Sequence, residues 1–403
     1  MKGERKFPFY VEGVAAGRGS RNCKSTTMKF RWFLWLILFP VALCHGQANL
    51  YLEPAYRMGR VIPNASNTSF LSHVSTYGAE LRLGHQTTGK HDWERLFNYP
   101  EYGLCLRYAH FDTTMFAETA ALFGYYNGTI WRNHRWTFHY QFGLGVSYWS
   151  NPYNEVTNPG NRFIGSHLNA HIDLAVGIDC RIAPQVDLTL RANFSHSSNA
   201  AIKLPNMGIN PLSGAVGVKC YLHKQDTLGF SWRHRDTSFV KKNSFYVMVS
   251  AGTRQSKKDA VVKNGAAGPY YLGTSLQIGY MRQPHPKFRY GGGLDINYSG
   301  ELARHLPEEQ RRTGKYFNEA AFVAFEVLYG RVVLHLSGAV YLHRAFDYYT
   351  PFYERAGLRV LLGKNRNHFV GASVKAHAGS VDYLEWSYGC HFISFGDKPK
   401  RKQ

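Results

Sequence analysis

The 403-residue chain carries 48 Lys and Arg against 27 Asp and Glu, a formal net charge of +21, with 15% aromatic residues and a mean hydropathy of −0.34. Past residue 46 no segment approaches the roughly 18 apolar residues that a spanning helix needs, which excludes a helical membrane protein and leaves a soluble enzyme or a barrel that crosses a membrane with strands. The positive charge, with no helix-turn-helix, zinc-knuckle or RNP pattern beside it, points to anionic lipid head groups and phosphates and away from nucleic acid.

In chain order, residues 1–27 are polar, basic and patternless, and are read as an extension arising from start-codon choice. Met28-Lys29-Phe30-Arg31-Trp32 and the following FLWLILFPVALCHGQA have the basic start, short apolar core and small-residue exit of a secretory signal peptide, so residues 28–47 are assigned to export. Leu43 is too large for lipid attachment at Cys44, and the mature chain is expected to begin near Gln47 or Ala48. Residues 1–46 hold eight Lys or Arg and two Glu, so the mature chain keeps a net charge of +15.

Strand-like alternation then predicts elements at 49–62, 70–85, 102–112, 115–131, 136–149, 163–182, 186–198 and 212–223, and again at 244–254, 271–283, 288–299, 317–329, 331–343, 354–363, 368–378 and 382–394. Most reach the roughly 9 to 11 residues of a tilted membrane strand and exceed the 5 or 6 or so typical of soluble ones. The expected fold class is all-β: an antiparallel transmembrane β-barrel of about 16 strands, with two tandem eight-stranded barrels as the alternative. Residues 48–225 form its first half, 226–243 a basic connector, 244–395 a second half, and 396–403 a basic tail.

The halves echo each other. Tyr77–His85 resembles Leu272–Tyr280, Gly103–Tyr108 resembles Gly293–Tyr298, and Pro152–Glu155 resembles Pro351–Glu354, a pattern expected of duplication. Aromatic pairs near strand ends, such as Tyr125-Tyr126 and Tyr348-Tyr349, suit interfacial girdles. Cys105, Cys180, Cys220 and Cys390 are too widely spaced for a CxxC pair, which leaves packing or, after export, a disulfide.

The chemistry is concentrated in Leu188 to Asn210. Leu188, Leu190, Ala192, Phe194, His196 and Ser198 share one face of a period-two pattern, while Asp187, Thr189, Arg191, Asn193, Ser195 and Ser197 share the other. The apolar face therefore ends in a base and a hydroxyl nucleophile, close enough to meet without help from distant loops. His196-Ser197-Ser198-Asn199, followed by Pro205-Asn206-Met207-Gly208, resembles the signature of the PagL-type lipid A 3-O-deacylases, outer-membrane β-barrel esterases of Gram-negative bacteria. The resemblance implies His196 as general base and Ser198 as nucleophile and matches the motif's Asn to Asn199, and the geometry next to the nucleophile suggests the backbone or side chain around Asn199 for the oxyanion.

The family's acidic orienting residue falls at Asn210, which can accept the imidazole N–H through its carbonyl but cannot stabilise an imidazolium by charge. The implied substrate is the acyl chain ester-linked at the 3 position of the lipid A of lipopolysaccharide, cleaved in the outer leaflet of the membrane. A non-catalytic pore or scaffold and a phospholipase stay open as alternatives. The 19 histidines show no metal-ligand spacing, and neither a metal nor a cofactor is expected. The second half is expected to be catalytically silent, because His377 falls out of phase with the apolar face formed by Val370, Ala372, Val374, Ala376 and Ala378.

Overall fold

A computed structural model describes residues 49–64, 66–222, 239–256, 268–312, 314, 316–344 and 350–396. The extension 1–27, the signal segment 28–47 with Cys44, most of the 226–243 connector and the tail beyond 396 lie outside the described residues. Among the described residues there are sixteen antiparallel strands: β1 Leu50–Ile62, β2 Ser75–Gln86, β3 Glu101–Phe111, β4 Glu118–Arg132, β5 Trp136–Trp149, β6 Leu168–Ala183, β7 Val186–Ser198, β8 Asn210–Tyr221, β9 Lys242–Gln255, β10 Tyr270–His285, β11 Phe288–Ser299, β12 Phe317–Tyr329, β13 Val332–His343, β14 Phe352–Leu362, β15 His368–His377 and β16 Ser380–Gly396.

These strands close as two barrels of eight, so the expectation of one sixteen-stranded barrel is corrected. The reason lies in the closing pairs. β8 returns to β1, from Ile62 opposite Asn210 to Tyr51 opposite Tyr221, and β16 returns to β9 from Glu385 opposite Gly252 to Gly396 opposite Lys242. Eight strands enclose a space that side chains can fill, and here charged side chains fill it. Glu80 meets Arg57 (3.6 Å), Arg82 (3.0 Å), Arg107 (3.0 Å) and Arg191 (2.7 Å), and Asp173 joins at Arg107 (2.7 Å). The second interior is built alike, with Arg355 paired to Asp295 and Glu385, and Arg359 to Glu326. Outward positions are the exposed apolar ones, such as Leu104, Leu106, Leu190, Val216, Ile278 and Val323.

Two of the three pairs that echo in sequence occupy equivalent places, β2 with β10 and β3 with β11, whereas Pro152–Glu155 follows β5 and Pro351–Glu354 leads into β14. The strand expected at 70–85 begins only at Ser75, because Ser66–His73 forms a 3-10 helix. Its Leu71 joins Val61, Val74, Phe111, Phe116, Trp149, Phe163, Ile164 and Ile209 in an apolar cluster at the end of the first barrel that carries the β5–β6 and β7–β8 loops. The described cysteines Cys105, Cys180, Cys220 and Cys390 are free thiols, which answers the disulfide question for this structure.

The barrels touch at both ends. Near the short turns, the Tyr329 ring lies 4.5 Å from that of Phe97 and 4.6 Å from that of Tyr126, with the Lys287 ammonium 5.1 Å above Phe97. At the other end, Gln255 of β9 contacts the β7–β8 loop.

Candidate active site

β7 carries the alternation read from the sequence. Asp187, Thr189, Arg191, Asn193, Ser195 and Ser197 are buried in the interior, while Leu188 and Leu190 face outward, as does the side of the strand that ends in His196, half-buried, and Ser198, only 7% exposed. The β7–β8 ladder runs in constant register from Phe194 opposite Leu212 to a further bridge between Ser197 and Ile209, closed by two 3.1 Å backbone hydrogen bonds. That register sets His196 across from Asn210 and Ser198 across from Gly208, with opposed side chains on one face. Ile209 fixes the pairing, since it is fully buried in the apolar cluster.

The polar contacts form a chain whose direction is set by chemistry. Asn64 donates its amide hydrogens to the carbonyls of Met207 (3.0 Å) and Gly208 (2.9 Å), which only accept. Its side-chain oxygen therefore faces Asn210 and accepts from Asn210 Nδ2. Asn210 Oδ1 is turned to His196, so the imidazole Nδ1–H donates to it at 2.6 Å. This leaves Nε2 as the bare nitrogen, and the Ser198 hydroxyl donates to it at 3.0 Å. Two backbone carbonyls thus select the tautomer that a general base for Ser198 requires.

Asn199 sits beside this chain with its donors committed. Its backbone N–H donates to Asn206 Oδ1 (3.0 Å), and its Nδ2 donates to Ser166 Oγ (2.9 Å) and the Lys203 carbonyl (2.8 Å), so it braces the loop. Gly208, at φ +74°, lies against the imidazole: an added Cβ would stand 2.6 Å from His196 Cε1. Sequence reading brought out His196, Ser198, Asn199 and Asn210. It passed over Asn64 and Ser166, and brought out Asn206 only as part of the Pro205–Gly208 loop motif.

Two other His and Ser positions differ in environment. His171 Nδ1 and Ser197 Oγ are 3.0 Å apart, but both are sealed in the interior with Arg107 at the other ring nitrogen (3.2 Å). His377 is buried in the second barrel, where the Tyr341 hydroxyl lies 2.9 Å from its Nε2.

On the lipid side a groove of about 460 Å³ runs along β6, β7, β8 and β1, lined by Val176, Leu190, Ala192, Gly214, Val216 and Tyr56. Ala192 and Gly214 are paired across the ladder, and their small size makes the depression. Ala192 lies four residues before His196, about 13 Å along a strand.

A hydroxyl, an imidazole and an amide linked in this order on the outer side of a barrel with a filled interior is an arrangement able to hydrolyse an ester. The family profile described as lipid A 3-O-deacylase (PagL) matches residues 77–219, and that described as acyloxyacyl hydrolase, C-terminal domain, matches residues 243–394. The chain belongs to this lipid A 3-O-deacylase and acyloxyacyl hydrolase family, with one matched domain in each barrel. Among solved structures it is similar to the outer membrane enzyme PagL (16% identity, covering 41% of this chain and 97% of that one, TM-score 0.30). It is also similar to the NanC porin (8% identity, 85% and 99%, TM-score 0.16) and to the Pseudomonas putida toluene transporter TodX (9%, 90% and 92%, TM-score 0.17). No curated protein sequence matches the chain.

Proposed function

We propose that this protein is an outer-membrane serine esterase, exported by the segment 28–47, that removes the acyl chain ester-linked at the 3 position of lipid A. The observation that carries the reading is the chain from Asn210 through His196 to Ser198, at 2.6 and 3.0 Å, on the outer face of the barrel. Ser198 Oγ attacks the ester carbonyl while His196 Nε2 takes its proton, and His196 then returns that proton to the leaving sugar oxygen. Water, deprotonated by the same nitrogen, hydrolyses the acyl-enzyme. Asn210 holds the tautomer through its carbonyl dipole.

Asn199 shapes the loop beside the ester and is not itself an oxyanion donor in this reading, because its donors are spent on Asn206, Ser166 and Lys203. The site lies at the end of the strands with the longest connections, which is the extracellular end in outer-membrane barrels. An acyl chain in the outer leaflet reaches Ser198 along the Ala192–Gly214 groove without leaving the bilayer. Purified protein in detergent, offered lipid A and glycerophospholipid in parallel, should release 3-O-linked acyl chains from lipid A. Release from glycerophospholipid alone would reassign it as a phospholipase.

A further inference from the structure

Gln255 ends β9 in the second barrel and is only 2% exposed, because it is inserted against the loop that follows Ser198 in the first. Its backbone N–H donates to the Ala201 carbonyl (3.0 Å), its Oε1 accepts the Leu204 N–H (2.8 Å), and its Nε2 donates to the Gly268 carbonyl of its own barrel (2.9 Å). One residue thus ties the two barrels together, through its backbone N–H three residues and its side-chain amide six residues beyond the nucleophile.

The gripped segment needs holding. Ala200 and Ala201 take φ values of +51° and +62°, a region that a Cβ disfavours and that persists only where surroundings over-determine it. The first barrel holds one side of the loop through Asn199 to Ser166, Met207 N–H to the Arg162 carbonyl (3.2 Å) and Gly208 N–H to the Phe163 carbonyl (2.9 Å). Gln255 holds the other side twice, by its backbone N–H at the carbonyl of strained Ala201 and by its side chain at the Leu204 N–H, three residues further on. The Tyr329 contacts at the far end keep the barrels docked, so Gln255 is presented by an anchored body.

We infer that the second barrel is a positioning element of the first barrel's site and acts through Gln255, an inference that rests on the esterase reading above. Ala200 to Leu204 form the wall next to the scissile ester. Their displacement misaligns the bound ester while the His196–Ser198 hydrogen bond stays intact, so turnover falls more than binding.

The test uses the full chain with Gln255→Met, which keeps the length but removes both side-chain bonds, and Gln255→Glu, which keeps the acceptor for Leu204 and loses only the donor to Gly268, the backbone bond to Ala201 staying in both. Gln255→Met should lower kcat roughly tenfold with KM within about twofold, and should speed amide exchange in the 199–206 loop. Gln255→Glu should recover most of the kcat. Unchanged exchange in Gln255→Met, faster exchange with wild-type kcat, or equal loss in both variants would overturn the inference. Failure of the underlying reading is separable: Ser198→Ala hydrolysing at the wild-type rate would remove the esterase assignment, while loop exchange still reports the grip of Gln255.

Discussion

Asn64 determines, through Asn210, which nitrogen of His196 carries the proton. Because Asn64 donates to the Met207 and Gly208 carbonyls, its oxygen accepts from Asn210, and the oxygen of Asn210 is left to accept from His196 Nδ1. A neutral amide does the directional work of a carboxylate, although without its charge.

Asn210→Ala should lower kcat by on the order of 10- to 100-fold, since the imidazole loses both its orientation and its tautomer preference. Asn64→Ala should lower it several-fold, because Asn210 is then free to present either end of its amide. In the double variant the Asn64 substitution should add nothing, as expected of residues acting in one chain. Steady-state kinetics on a soluble ester would measure all three, and additive losses would show that Asn64 acts elsewhere.

Gly208→Ala should cut turnover roughly 100-fold in a barrel that still folds. The new Cβ would stand 2.6 Å from the His196 ring on a backbone at φ +74°, so the imidazole must swing away from Ser198. Labelling of Ser198 by a fluorophosphonate should slow in parallel, and wild-type labelling would contradict this packing.

Gly214→Leu tests the groove. A Cβ at 214 meets only the Arg191 carbonyl at 4.0 Å, so folding tolerates it, but the leucine side chain fills the depression opposite Ala192. Kcat/KM should fall for long-chain esters and change little for short ones. Equal effects on both would mean that the acyl chain lies elsewhere.

Glu80→Ala should destabilise the first barrel by about 3–5 kcal/mol, because four arginines lose the carboxylate that compensates their burial. Heat-modifiable migration would move to a lower temperature, while the fraction still folded should keep its ester hydrolysis. An unchanged midpoint would show that Asp173, beside Arg57 and Arg107, and Glu53, beside Arg191, already compensate the buried charge.

The strands were legible because alternation is local: β5, β7, β11 and β12 have the bounds that the pattern predicts. Barrel number was not legible, since it depends on whether β8 turns back to β1, a pairing between Tyr51 and Tyr221 that no local signal announces. The same holds within the site. His196 and Ser198 are two residues apart and were found by phase, whereas Asn64 lies 146 positions from Asn210, and Gln255 lies 51 from Leu204 in what reads as an ordinary strand end. Residues 66–73 combine Ser, Asn and Thr with Phe70 and Leu71, and only burial of Leu71 against Phe111 and Trp149 decides for a 3-10 helix over a strand.

Lipid A mass spectra from Gram-negative cells making wild-type protein, Ser198→Ala or His196→Ala test the central claim most directly. Wild-type protein should produce lipid A lacking the 3-O-linked acyl chain, and both variants, present as folded barrels, should leave lipid A intact. Unmodified lipid A with wild-type protein, or full deacylation by either variant, would contradict the account.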